Sequence, residues 1–515
     1  MSSFRRFLLV TAMVILTILS ILAIVYQVYN QRWARELEAA RREMQAKDES
    51  LAWASFVPPP VPDDQNLALS PFYQRALHYG RDPKTGAYVI GARSTWPAEM
   101  QYMPLAESYP KGIPYRSRDL IQRTDFAAYA AYYQKNTAYP PPTVPGDPAA
   151  AVLTALGRYA PALDELAHAA AEYPRTRFPV AWNSENPLTV RLPHYILSQN
   201  LASTLALRAS AHLAVNQPAE ALSDIELGLR LCRDLETEPT LLSHLIESVS
   251  LRALLTPVWE GLADRRWSGE QLTHLQTDLH GVDLLASYQH VMRGERTTYV
   301  DKGIDYMATH LGELPDMLPF GTTYPPGSHS TQSKALQTFG RAAPQGWFDG
   351  NKALIIRLLQ RYAVEGVDPA THRADPARLG GLDAALGRTP SAPTNLLARI
   401  MLPVFTSVAQ RSVRTQAMLD TAAAASALER FYLDRQAYPT TLAELTSGYV
   451  DRLPTDLIDG AALRYGPTPD GRYRLYSVGW NQADDGGQVV WEKDRVDGRR
   501  GDWVWQYQPL QPPTR

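Results

Sequence analysis

Residues 7–29, FLLVTAMVILTILSILAIVYQVY, contain no charged side chain. A helix of that length covers the roughly 30 Å hydrocarbon layer of a bilayer. Only closed hydrogen-bonding structures are tolerated there, so the stretch reads as a membrane-spanning helix. It passes through Tyr26, Gln27 and Tyr29 directly into charge, without a small-residue cleavage site, which predicts an uncleaved anchor. Arg5 and Arg6 precede it, and Arg32, Arg35, Arg41, Arg42 and Lys47 follow. A strict count of basic residues keeps the bulk of the chain inside, whereas long domains translocate largely regardless of charge.

Beyond the span, QRWARELEAARREMQAKDESLAWASF has neither Gly nor Pro until Pro58, so residues 30–57 are expected to prolong the helix as a stalk. Trp33, Leu37, Ala40, Met44 and Leu51 recur at four- and three-residue steps, interrupted at Lys47. That spacing suits a short coiled coil, hence a homodimer through the stalk, or else a solvated monomeric helix. Residues 58–148 are rich in Pro, Tyr and Gly, which blocks regular helix and central strand. Their aromatic content argues against disorder, so an irregular chain wrapping a folded body is expected, with a helix near Asp125–Lys135.

With 515 residues the chain exceeds what one core usually serves. A formal net charge of -2 provides no basic field of the sort nucleic-acid binders use, so no nucleic-acid partner is expected. The one cysteine, Cys232, excludes an intramolecular disulfide and reads as a small buried thiol. Residues 149–310 read as a helical body. Small residues at Ala209, Ala221 and Gly228 with Ile225, and Ala162, Leu166, Ala169 and Pro174 in an earlier stretch, resemble degenerate tetratricopeptide helix pairs. Such stacks offer a concave surface to protein partners. Residues 311–394 follow as Pro/Gly-rich loops with one helix near Asn351–Glu365, leaving the stretch from Asp368 to Thr394 as a loop.

Candidate chemistry in the body is sparse. Glu165 and His168 share a helix face at metal-ligand spacing, but only once, and His244 with Glu247 gives the reversed order. His274, Asp278 and His280 form another local group, though His280 lies off the shared face. Glu295 beside His290, with Glu247, would serve acid–base catalysis in a closed cleft. A Glu295–Arg296 ion pair is the plainer reading. Ser328, His329 and Ser330 have no evident acid partner, and no hydrolase, phosphate-loop or dinucleotide motif occurs.

Residues 395–515 carry the most specific pattern: a long helix ending in ALERFYLDRQAYPTTLAEL, then RLPTD with Asp456 and the Asp459-Gly460 turn, then ALRYGPTPDGRYRLYSVG and the acidic loop NQADDGG. Pro469-Asp470-Gly471 between Leu463/Tyr465 and Tyr473/Leu475 predicts an antiparallel hairpin. Residues 489–491 and 502–505 read as further short strands around the charged loop EKDRVDGRRGD. From Met418 to Trp505 the chain resembles the globular domain of type II secretion pseudopilins, also found at the end of large bacterial membrane proteins. That resemblance implies a calcium loop, in which Asn481 stands where the family has its first acidic ligand and Asp484 and Asp485 match the later ones. Asp502 would add a ligand from the next strand, and calcium wants six to eight oxygens. The resemblance also implies a bulk lying outside the bacterial inner membrane. A cleavable glycine and the polymerising glutamate of pseudopilins are missing from the N-terminal span, which argues against pilus assembly.

The expected fold is mainly α: a single transmembrane helix, a tetratricopeptide-like body and a small C-terminal α+β module with an antiparallel sheet. The expected function is a single-pass, extracytoplasmic scaffold with protein partners, more readily than an enzyme. The alternatives are an envelope hydrolase with a site between the helical body and the Pro-rich flap, and a secretion-system or pilus-related component.

Overall fold

The computed structural model describes residues 3–91, 123–142, 146–184, 190–310, 343–389, 395–492 and 495–508. The chain is mainly helical, with small antiparallel sheets. Helix α1 spans Ser3–Gln45 without a break, so the apolar stretch and the start of the stalk are one rod, but the helix stops twelve residues short of the expected end at 57, where Asp48 turns the chain at a φ of 58°. Its apolar side chains from Phe7 to Val28 are left uncovered, and the helix is long and apolar enough to cross a membrane. The helix Leu241–Ala263 passes the same test of length and composition, yet 67% of its apolar window is buried, as in a core helix.

Residues 58–91 and 123–142 contain short elements that close over the body: α2 (Pro71–Ala76), the two-residue strands β1 (Gly80–Arg81) and β2 (Tyr88–Val89), and α3 (Phe126–Gln134). Phe72, Tyr73, Tyr129, Tyr133 and Tyr139 enter a core shared with α4 (Pro148–Leu156), α5 (Ala160–Glu172) and α6 (Pro193–Ala214). The expected wrapping chain is therefore held by its aromatic rings. Asp147 caps α4 by accepting from Ala149 and Ala150 N–H, with Pro148 in the first turn, where a missing N–H costs nothing.

Helices α6, α7 (Pro218–Arg233), α8 (Leu241–Ala263) and α9 (Gly269–His280) form the second core. Ala209, Ala221 and Ile225 are fully buried, and Cys232 lies among them as a buried thiol. Ser268 opens α9 with a capping box that uses Gln271 as its reciprocal partner.

The first core gathers α10 (Leu284–Thr297), α11 (Ile304–Thr309), α12 (Gln345–Leu358), α13 (Pro376–Arg388), α14 (Leu396–Met401) and the first half of α15 (Pro403–Arg435). Two of these elements depart from the sequence reading. Helix α13 occupies what was expected to be loop: Asp375 caps it, and Leu379, Leu382 and Leu386 bury one face, a stripe obscured by Gly380, Gly381 and Gly387. The terminal helix is two helices, because Pro403 cannot continue the ladder of α14.

The stripe on the stalk is taken up inside the chain. Leu37, Ala40 and Met44 are buried in the first core with Trp347, Ile355 and Ile356. Helix α12 runs parallel to α1. Asn30 Oδ1 accepts from Gly346 N–H at 2.8 Å, Arg357 reaches Glu36 at 3.1 Å and Glu43 at 2.8 Å, and Lys47 pairs with Glu365 further on. A side chain at Gly346 would meet Asn30 Cα and Tyr29 Cδ1 at 3.0 Å, so glycine permits the close start of this crossing.

Where the stalk ends, Glu49 accepts from Arg293 (2.9 Å) and Arg296 (3.0 Å). Arg296 is fully buried and also donates to Ser50 O at 3.0 Å and to Gln360. Burial alone would push the Glu49 carboxyl up, but the two arginines hold it below the usual range.

A two-residue antiparallel pair, β3 (Val367–Asp368) and β4 (Arg373–Ala374), precedes α13, and the C-terminal strands β5 (Arg464–Pro467) and β6 (Tyr473–Ser477) form the expected hairpin, with Tyr465 opposite Leu475. Strand β9 (Trp503–Trp505) joins β6, giving the order β5-β6-β9. The expected charged loop is mostly strand, since β8 (Arg495–Gly501) pairs with β7 (Val489–Glu492). The sheet does not stand apart from the body: Tyr473, Leu475 and Trp505 share the second core with α6–α9 and the second half of α15. Helix α15 thus threads both cores, through Phe405–Ala417 in one and Leu419–Phe431 in the other.

Removing one partner of a buried ion pair strands the other charge and costs about 3–5 kcal/mol. Glu49→Ala is expected to lower stability by that amount, measured as the unfolding midpoint in detergent. An unchanged midpoint would contradict the packing of the stalk.

Candidate functional site

Three acids fall within five residues, Asp234, Glu236 and Glu238, in the turn that joins α7 to α8. Pro239 stops the preceding helix and Thr240 caps the next by accepting from Ser243 N–H. A short, acid-rich turn would ordinarily be solvated, yet this one is enclosed.

Several of its residues are gripped by side chains of the surrounding helices, although Thr237 stays exposed. Asp234 lies 3.5 Å from Arg230. His194, at the start of α6, donates from Nε2 to both Glu238 oxygens at 3.0 Å, with both residues buried and the imidazole stacked on Phe178. Thr240 Oγ1 and Tyr195 Oη are 2.8 Å apart. From α10, His290 Nε2 donates to Thr237 O at 3.3 Å, and Glu295 Oε1 accepts from Leu241 N–H at 2.5 Å. Gly294 touches Pro239 so closely that a side chain there would come within 2.4 Å of its carbonyl oxygen.

Burial raises two carboxyls of this turn, Asp234 and Glu236, and that of Glu295 beside it. Asp234 is pushed up to about 6, against the pull of Arg230 and Thr176. Glu236 rises to about 8 through burial and the adjacent Glu247, and Glu295 to about 7 through burial, opposed by the Leu241 N–H and Tyr299. These groups exchange protons close to neutral pH.

Glu247, His290 and Glu295 are therefore brought around one turn, as the acid–base reading required, but each has a structural partner. Glu247 sits inside the core: its Oε2 accepts from Ser287 at 2.5 Å, Ser287 Oγ lies 3.1 Å from His244 Nδ1, and His244 Nε2 lies 2.6 Å from Ser412 Oγ. This is a serine–histidine–carboxylate order without access, since Ser412, His244 and Glu247 are all at most 1% exposed. Ser412 also directs its proton to Val408 O at 2.9 Å, away from the role of a nucleophile. The Glu295–Arg296 pair is not formed; Arg296 binds Glu49 instead.

The local clusters of the body disperse. Glu165 pairs with Arg75 at 2.5 Å, and His168 hydrogen-bonds to Asp164 O at 2.8 Å. His274 reaches Glu226 at 3.3 Å. His280 lies near a dyad that no local spacing announced: His372 Nε2 is 2.8 Å from Asp420, whose other oxygen accepts from Gln416. Asp420 raises the His372 imidazole, which burial alone would lower, and the ring is one-third exposed on a backbone with φ of 54°. Ser328, His329 and Ser330 lie outside the described residues.

In the C-terminal loop the expected calcium ligands hold the backbone. Asp502 accepts from Asp485 N–H at 3.3 Å and Gly487 N–H at 2.6 Å. Asp484 accepts from Gly486 N–H at 3.0 Å and Tyr476 Oη at 3.2 Å, and faces Arg464 at 3.4 Å. Asn481 donates to Asp485 at 2.8 Å. An arginine and three backbone N–H groups directed at these oxygens do not fit a cation, and among the described residues no group of three or more His, Cys, Asp or Glu is placed to hold a metal. Buried Asp456 does the comparable stitching nearby, accepting from Ile458 and Val478 N–H and Ser477 Oγ, each at 2.9 Å.

No family model, curated protein or solved structure matches this chain.

Because the folded Glu236 binds its proton more tightly than the unfolded chain does, its contribution to stability is complete below the unfolded value near 4.5 and is lost as pH rises through about 8. Glu236→Gln is expected to raise stability at pH 8.5 by on the order of 2 kcal/mol while changing little at pH 4. Parallel stability–pH curves for the two proteins would contradict the enclosed turn.

Proposed function

We propose that this chain is a single-pass scaffold of the bacterial inner membrane, with the helical body outside the cytoplasm and offering its surface to protein partners. The observation that carries the proposal is the continuity of α1: the apolar stretch and the buried Leu37–Ala40–Met44 stripe lie on one unbroken helix, so an anchor in lipid would hold the whole body at a fixed height. The acids and histidines around the α7–α8 turn support a structural role, since Glu238, His290 and Glu295 are engaged across elements and the serine–histidine–glutamate set is sealed. The tetratricopeptide-like reading of α6 and α7 and the pseudopilin-like reading of the C-terminal sheet belong to this proposal: stacked helices for partners, and a small sheet fused to them as a docking element.

A hydrolase is the second reading, favoured by the His372–Asp420 dyad, a partly exposed imidazole oriented by a carboxylate. The two readings separate by one experiment. Gentle detergent extraction and affinity purification of the full chain should recover a stoichiometric protein partner, and His372→Asn should leave that recovery unchanged. Recovery of the chain alone would count against the scaffold. A C-terminal reporter active only outside the cytoplasm should give signal, and a cytoplasmic signal would overturn the orientation.

A further inference from the structure

The stalk sorts its charges between two faces. Glu36 and Glu43 turn to Arg357, Glu49 to Arg293 and Arg296, Lys47 to Glu365, and Glu38 to Arg41. Glu36, Glu38, Glu43 and Glu49 are thereby paired, and the remaining acid, Asp48, lies at the far end of the stalk. What remains on the face turned away from α12 is Arg32, Arg35 and Arg42, all exposed, at positions separated by one and two helical turns. Glu38, exposed and paired with Arg41, interrupts the outer face further along, but the first six residues beyond the apolar stretch, 30–35, carry Arg32 and Arg35 and no acid.

Position along the rod decides what that stripe meets. At a rise of 1.5 Å per residue, Arg32 lies ~4.5 Å and Arg35 ~9 Å beyond Tyr29, whereas Arg42 lies ~20 Å beyond it. The headgroup layer is about 5–8 Å thick on each side, and arginine stems extend along apolar surface to place the charge in it. Tyr29 and Trp33 meet edge-on with ring centroids 6.3 Å apart, and Arg32 lies over the Trp33 ring at 5.4 Å, an aromatic and basic collar of the sort that marks a membrane interface.

We infer that Arg32 and Arg35 form a binding surface for anionic phospholipid headgroups at the foot of the body. The inference rests on the anchor reading above and names the lipid partner of that anchor. Asn30 is committed to Gly346 N–H, so the start of α12 is pinned to the same level, on the other side of the rod from Arg35. Arg42, on the same face but out of reach, carries the same charge without the contact.

The test uses the full chain in nanodiscs of equal phosphatidylglycerol and phosphatidylcholine, followed by native mass spectrometry of the lipids retained on release. A basic side chain at a charged surface is worth roughly fivefold in affinity. The wild-type chain is expected to retain phosphatidylglycerol preferentially, the Arg32→Gln/Arg35→Gln variant to lose that preference by at least about fivefold, and both Arg42→Gln and Arg32→Lys/Arg35→Lys to keep it. A wild-type chain that enters the discs without lipid preference, or an Arg42→Gln variant that loses as much as the double variant, overturns the inference while leaving the anchor standing. A chain that does not enter the discs overturns both.

Discussion

Arg296 carries a guanidinium wholly shielded from solvent, and its main counter-charge, Glu49, comes from the end of the stalk, far away in sequence. A charge taken out of water in this way is tolerable only with its carboxylate in place. The pair therefore obliges the stalk to lie where it does, beside α10 and the π-helical turn that supplies Gln360. Once Glu49 is placed, Met44, Ala40 and Leu37 are delivered in succession to Trp347 and its neighbours, and α12 is aligned with α1 down to Asn30. The first core has no apolar floor without these residues of the stalk.

From that core the constraint passes outward through two long helices. Helix α10 carries Arg293 and Arg296 on the side of the stalk and, a turn away, Glu295 and His290 on the side of the acidic turn. Helix α15 leaves the first core at Ala417 and enters the second at Leu419, where the C-terminal sheet rests on it. The N-terminal helix, the body and the sheet are thus linked by buried side chains. Asp234 and Glu236 of the α7–α8 turn lie where α10 and α6 close on it, and burial there raises their proton affinity.

Much of this was legible locally. The apolar stretch, the helical start of the stalk and the Pro-Asp-Gly hairpin follow from short-range rules, and each has its place in the structure. The stalk stripe was legible as a face in need of cover, but its cover lies about three hundred residues further on, and periodicity alone cannot distinguish a second copy from a distant helix. Helix α13 was hidden because three glycines outweighed a leucine stripe that only burial reveals. The acid-rich turn was visible in sequence; its grip by His194, His290 and Glu295 was not, since those residues come from helices on either side. The His372–Asp420 dyad left no local signal, and the expected calcium loop failed on Arg464, a residue from a neighbouring strand.

The central claim is that the stalk belongs to the folded core and is not a solvated spacer. Hydrogen–deuterium exchange of the full chain in nanodiscs tests it most directly, by comparing amides of residues 34–46 with those of α12. The structure predicts protection of the stalk equal to that of α12, with both released together when Glu49 is replaced. Stalk amides that exchange far faster than α12 in the wild-type chain would contradict it.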